Sequence, residues 1–396
     1  MNRRDRRQGH ASETPRARRI REAEERDARM RAKGIDPLAE ARRSAERRAT
    51  RRPRRPRSLK RTLVFVLLIV LLSGCTGGWL LWQRVAAFND NVSSASSLSS
   101  SLFFPLMGSE RVNVAMFGYG GPEHGGGTYL ADSIIVLSID PQAKTTTMIP
   151  IPRDLWVQGV SELPKGAKIN EAFADGYVRG GVAEAGRAAT AVLSQVTGLK
   201  IDHWMAIDFT GFRKMVDTVG GVTVDNPVAF SYTWSEPNFH AKIWDAGSFA
   251  AGPITLNGEQ ALSYARSRYA SVPAEASDFA RSIRQQRVLA ALRAKLGSGG
   301  LGSLGPGLAM MDALKGQMKT DLSAVDLYLL SGHLRADRYV QLTEGVILQA
   351  TRNKIGQYIL VVIGRRDGND YGPLHAYLMT ELARPVATPT PAPSGP

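Results

Sequence analysis

The chain has 396 residues, 51 Lys+Arg against 36 Asp+Glu, and a formal net charge of +15. Residues 1–61 hold 23 of the basic and 9 of the acidic side chains, so the remainder is nearly neutral. A globular nucleic-acid binder carries its basic patch on its folded part, so this distribution argues against one. The single cysteine, Cys75, excludes an intrachain disulfide.

Residues 1–61 form a polar, Arg/Ala/Glu-rich arm with no apolar stripe to bury, expected to be mostly disordered, with transient helix over 22–51. Residues 62–82, TLVFVLLIVLLSGCTGGWLLW, carry no charge over 21 positions and follow the flank RRPRRPRSLKR. About 20 apolar residues cross a bilayer, and positive charge stays inside. The sequence therefore predicts one transmembrane helix, a cytoplasmic N-terminus and an outward-facing bulk at the cell membrane. Leu72-Ser73-Gly74-Cys75 also fits a lipobox, but the apolar run continues to Trp82. Residues 83–110, Ser- and Asn-rich from 89 to 101, read as a linker, 111–384 as the extracytoplasmic domain, and 385–396 as a Pro-rich tail.

Within the domain, β-branched runs at 112–117, 133–139 and 145–151 predict adjacent strands, joined for the last two by the Asp140-Pro141 turn. Further strands are expected at 201–207 and 222–224, around a helix over 210–219 that ends at Gly220-Gly221. Asn257 and Gln260 form a capping box that opens a short helix, and a longer helix is expected over 278–296. Alternating strands and helices argue for an α/β layered domain.

The 278–296 helix carries the most chemistry. At 100° per residue, Asp278, Arg281 and Gln285 fall within about 60° of one another. Val288, Leu289, Leu292 and Leu296 continue that stripe. A face that is polar at one end and apolar at the other suits either an internal Asp278–Arg281 salt bridge or a cleft. Arg266 and Arg268, in SYARSRYAS, would point to one side if that stretch is extended. Arg153 follows the stiff Ile149-Pro150-Ile151-Pro152 at a strand end, where α/β sheets bind ligands. Four arginines from three segments suit a pyrophosphate, whose oxygens match the guanidinium fork. Asp132, entering a buried strand, pairs with one of them or holds a divalent cation. Arg284 lies about 100° off the polar face and is expected to support locally. Lys168 and Asn170 either line the site or cap a turn, and Asp208, Asp217 and Asp225 read as caps and surface charges. His203 and His240 show no zinc spacing.

The stretches ADSIIVLSIDPQAKTTTMIPIPRDLWV, KINEAFADG, IDHWMAIDFTGFRKMVDTVGGVTVDNP, LNGEQALSYARSRYAS and DFARSIRQQRVLAAL together resemble the LytR-CpsA-Psr family over about 111–330. That resemblance implies a three-layer α/β/α sandwich around a mixed central sheet. It further implies a Mg²⁺-dependent transferase that takes a polyprenyl diphosphate-linked glycan and passes the glycan phosphate to a peptidoglycan or other wall acceptor. The alternatives are hydrolysis of the same donor and a non-enzymatic carrier-binding role; nucleic acid is not an expected partner. The family's functional positions fall on Arg153, Arg266, Arg268, Asp278, Arg281 and Gln285, with Asp132 for the metal. The family also has an Asp two residues after Gly118, where this chain has Gly120; the loop GYGGPEHGGG either supplies Glu123 or His124 in its place, cradles phosphate with its backbone N–H groups, or is a mobile turn.

Overall fold

The computed structural model describes residues 14–50, 59–92, 106, 108–122, 129–232, 247–267, 270–295, 304–333 and 337–385, and their side chains except at 49–50, 59–72, 74, 278–279 and 304–306. The chain divides into two units, Met1–Gly77 and Gly78–Pro396. The first holds α1 (Pro15–Ala32), α2 (Pro37–Thr50) and the beginning of α3 (Leu59–Val92). Thr14 caps α1 by accepting from the Ala17 amide, and Pro15 sits in the first turn, where its missing N–H costs nothing. The described part of the arm, residues 14–50, is helical over α1 and α2, within which transient helix was expected from residue 22, and α1 buries no side chain. Among the described residues no helix is long and apolar enough to cross a membrane. Most side chains of the expected span, 62–82, lie outside the described residues. α3 continues through Val92, so residues 83–92 of the expected linker are helix.

The second unit is built on a six-stranded mixed sheet. β1 (Val112–Tyr119), β2 (Ala131–Asp140) and β3 (Thr145–Pro150) run as an antiparallel meander. β4 (Trp156–Val157) pairs with β5 (Ala167–Lys168) in a separate two-stranded sheet, and β6 (His203–Asp208) joins the main sheet parallel to β1. β7 (Val222–Asn226) pairs with β10 (Gly252–Leu256), and β8 (Phe230–Tyr232) with β9 (Gly247–Phe249). β11 (Met318–Thr320) and β12 (Arg338–Tyr339) close the two edges of the main sheet, whose order is β11-β6-β1-β2-β3-β12. β13 (Leu348–Arg352) and β14 (Tyr358–Val362) form a hairpin. The expected strands are present, most of them shifted or extended by a residue or two.

Side chains alternate across a strand, and two cores follow from that alternation. Ala115, Phe117 and Tyr119 of β1 pack with Ile134 and Val136 of β2, against α4 (Glu171–Thr197) and α10 (Gly372–Ala383). Val112 and Val114, with Ile135, Leu137 and Ile139, turn to the opposite face. That face is covered by α5 (Phe209–Thr218), α7 (Asp278–Lys295), α8 (Leu304–Leu314) and α9 (Ala324–Ser331), with α6 (Gly258–Arg266) beside them. The mixed sheet therefore has helices on both faces. The helical run of α4, which the sequence reading did not anticipate, is broken at Gly180–Gly181. Gly181 takes φ 71° and ψ −164°, a conformation that essentially only glycine adopts.

Candidate active site

The polar cluster sits where β1 and β6 end and β2 begins. Asp132 is the second residue of β2, and two arginines meet its carboxylate. Arg153 Nη1 donates to Oδ1 at 2.5 Å, and Arg266 Nη2 reaches Oδ2 at 3.5 Å. Arg153 arrives there because Ile151 still bonds the β2 backbone, its amide donating to the Ile134 carbonyl at 2.8 Å, before the chain turns at Pro152. Its Nε lies 3.5 Å from Asp154 Oδ2, and Lys168 Nζ holds the other oxygen of Asp154 at 2.5 Å. Lys168 thus joins the site through Asp154, a buried residue that the sequence reading passed over. Asn170, the second of that pair, is buried, and its backbone amide donates to the Arg153 carbonyl at 3.4 Å.

Arg266 is the last residue of α6, not part of an extended segment. The capping box of Asn257 and Gln260 is fully formed, and it starts a helix that persists to the Ser267 cap. From that position the Arg266 guanidinium lies over the Phe209 ring, 4.0 Å from its centroid, an attraction worth about 0.5–2 kcal/mol. Arg268 lies outside the described residues, as do Glu123, His124 and His240.

α7 contributes the third wall. Gln285 accepts from the Ser133 hydroxyl at 3.3 Å and donates to the Ala265 carbonyl at 3.5 Å, so it ties β2 to the end of α6. Arg281 lies one turn earlier on α7 and is buried. Asp278 is the first residue of that helix; its side chain is outside the described ones. Arg284, off the polar face as expected, has no exposure at all. Its Nε donates to the Tyr264 carbonyl at 2.9 Å, and its Nη1 to the Glu275 carboxylate at 2.6 Å and carbonyl at 2.9 Å. Nη2 donates to the Ser267 carbonyl. Burial pulls this guanidinium below its usual pKa, and the Glu275 carboxylate pulls it back up. Arg284 thereby clamps the residues on either side of Arg266 onto α7.

Asp208, Asp217 and Asp225 serve as caps and a surface charge, as expected. Asp208 caps α5, accepting from the Gly211 amide at 2.7 Å, and Asp217 accepts from the Gly258 amide at 2.7 Å, while Asp225 is exposed. Asp208 also lines the cavity described next. Gly121, at φ 79°, lets the loop pass it: an added Cβ would meet the Asp208 Cβ at 2.8 Å. Burial and the neighbouring Asp208 carboxylate push the Tyr119 phenol well above its ordinary pKa, so it stays neutral. His203 lies 3.3 Å from Asp321. Among the described residues no group of three acidic, His or Cys side chains is placed to hold a metal ion.

A cavity of about 310 Å³ opens behind this cluster, between the sheet and α5, α7, α8 and α9. Asp132, Ser133, Asp208, Arg266 and Gln285 line its polar end. Most of the rest is apolar, and seven of the chain's eleven methionines face it, among them Met116, Met205, Met310 and Met318. Methionine is unbranched and adaptable, and it suits a surface that must accept a flexible apolar ligand. The volume falls within the range of small-molecule sites.

A family model described as the LytR_cpsA_psr family matches residues 84–361. A protein of Bacillus licheniformis named polyisoprenyl-teichoic acid--peptidoglycan teichoic acid transferase TagU is 27% identical over 280 residues, 69% of this chain and 82% of its own length. TagV of Bacillus subtilis, named for the same activity, is 30% identical over 244 residues, covering 61% of this chain and 58% of its own. The crystal structure of B. subtilis TagV shares the fold with TM-score 0.50 and 24% identity, over 69% of this chain and 96% of that one. Protein gbs0355 from Streptococcus agalactiae does so with TM-score 0.53 and 22% identity, over 71% and 92%. The match spans both sheet faces and each segment that builds the Asp132 cluster: this chain belongs to the LytR-CpsA-Psr family.

Proposed function

We propose that the chain moves a glycan phosphate from a polyprenyl diphosphate-linked donor to a hydroxyl of a cell-wall acceptor, with peptidoglycan as the acceptor class. One observation carries the reading: an apolar, methionine-rich cavity ends at a carboxylate shared by two arginines. Only an amphiphile with a long apolar tail and an anionic head uses both parts. The activities named for the TagU and TagV relatives agree with it.

The chemistry is phosphoryl transfer, in which positioning and charge stabilisation do most of the work. The acceptor oxygen attacks the phosphorus that carries the glycan, the bridging P–O bond breaks, and polyprenyl phosphate leaves. Arg153 and Arg266, already converging on one carboxylate, neutralise the diphosphate, and Arg268 and Arg281 are assigned to the same task. Gln285 orients the Ser133 and Ala265 edge of the site. Asp278 either orients Arg281 or accepts the proton of the attacking hydroxyl.

Magnesium is commonly held by one or two carboxylates together with substrate phosphates and water, and Asp132 with a bound diphosphate meets that minimum. There the ion would neutralise charge on the phosphate oxygens. The uncharged run at 62–82 and its basic flank support a chain that sits in the cell membrane and crosses it once with a cytoplasmic N-terminus.

The test is a transfer reaction with the full chain in vesicles, a polyprenyl diphosphate glycan, peptidoglycan fragments and Mg²⁺, followed by mass spectrometry. The wild type yields acceptor carrying the glycan phosphate, and Arg266→Ala or Arg153→Ala lowers turnover by about 10²–10³-fold. Free glycan phosphate without acceptor adduct would establish hydrolysis instead, and tight donor binding with no product would leave a carrier-binding role.

A further inference from the structure

The segment just before the domain is bound into it more closely than a tether needs. Phe88 and Val92 of α3 are 5% and 0% exposed, and they pack with Met310 and Leu314 of α8 and Met318 of β11. Polar contacts fix the register of that packing. Asn89 Oδ1 accepts from the amide of Ala324, the first residue of α9, at 2.8 Å, so a buried side chain of α3 helps to cap the helix beside it. Lys319 of β11 donates to the Asn91 carbonyl, and Arg84 pairs with Asp312 of α8 at 3.1 Å. The last is an exposed pair that adds little energy, but it shares the same register.

All three elements held in this way, α8, β11 and α9, contribute to the apolar end of the cavity. Phe88 itself lines it, as do Met310 and Met318, and Leu327 and Tyr328 of α9. The sheet order puts Asp132, on β2, three strand spacings from β11, or about 14 Å. A diphosphate at Asp132 therefore leaves a tail that can run across β1 and β6 toward Phe88. Upstream on the same helix, Trp79, Leu80 and Trp82 are each more than half exposed. They lie about 9–14 Å along the axis from Phe88, a distance at which apolar side chains can meet the same lipid.

We infer that residues 84–92 are a wall of the tail site rather than a tether, and that Phe88 sets how well a long lipid tail is retained. This rests on the proposed lipid-linked donor. It adds to that reading a specificity-determining residue outside the polar cluster.

The experiment uses the full chain in vesicles with a long-tailed and a short-tailed polyprenyl diphosphate glycan. Phe88→Ala is expected to lower the ratio of long-tailed to short-tailed kcat/KM about tenfold, chiefly through KM for the long-tailed donor. A long-tailed donor with a photoreactive group at the tail end is expected to label residues 84–92 of the wild type, which settles the matter even if the variant folds poorly. An unchanged ratio, or labelling confined to other segments, overturns the inference. If the wild type turns over neither donor, the transferase reading fails, while labelling still decides whether residues 84–92 form the wall.

Discussion

The two faces of the central sheet have been put to opposite uses. On one, Phe117, Tyr119 and Phe173 meet with ring centroids 5.1–5.5 Å apart, and α4 and α10 close over them; that core contains no methionine. On the other, seven methionines from four strands and two helices line a cavity, and about 310 Å³ stays open. Tight, shape-specific packing gives a unique structure, whereas soft, unbranched side chains around a void give up some packing energy to leave room for a ligand. One face holds the domain together and the other binds.

Substitutions can break or sharpen this contrast. Phe173→Ala, on the closed face, is expected to cost about 3–5 kcal/mol of stability in denaturant unfolding, with donor affinity unchanged in the fraction that remains folded. Arg284→Met should cost a similar amount, about 3–5 kcal/mol, because Glu275 is left buried without its partner. It should also lower kcat, since the clamp on either side of Arg266 is lost. Arg284→Lys keeps the charge without the fork and is expected to recover only part of both. Unaltered stability in Arg284→Met would remove the clamp from the account. Met205→Leu, on the open face, should change stability by less than about 1.5 kcal/mol yet raise KM for a long-tailed donor. If Met205→Leu destabilised as much as Phe173→Ala, the two faces would not differ in the way described.

Much of the fold was legible because its signals are local. β-branched runs marked β1, β2 and β3, and the Asn257/Gln260 box marked the start of α6. α4 escaped notice because its glycines and alanines give no clean apolar stripe, and Gly180–Gly181 breaks its period. In the site, Asp132, Arg153 and Gln285 were reached from strand ends and a helix face, and Arg266 from an alternation that a helix replaces, and the fold brings the four together. Asp154, Ser133 and Phe209 were not, because each acts through a neighbour distant in sequence: Lys168, Gln285 and Arg266. The cavity left one trace that could have been read, the seven methionines spread between Met116 and Met318 in a domain whose other core has none. The packing of Phe88 left none, since Met310, Leu314 and Met318 lie more than two hundred residues further along the chain.

The central claim is that one site recognises a phosphate head and an apolar tail together. The direct test is equilibrium binding of the full chain to three probes: polyprenyl diphosphate, the matching polyprenol without phosphate, and inorganic diphosphate. The account predicts that only the first binds tightly, and that Arg266→Ala brings its affinity down toward that of the polyprenol. Equal affinity for polyprenyl diphosphate and polyprenol, in wild type and variant alike, would contradict it.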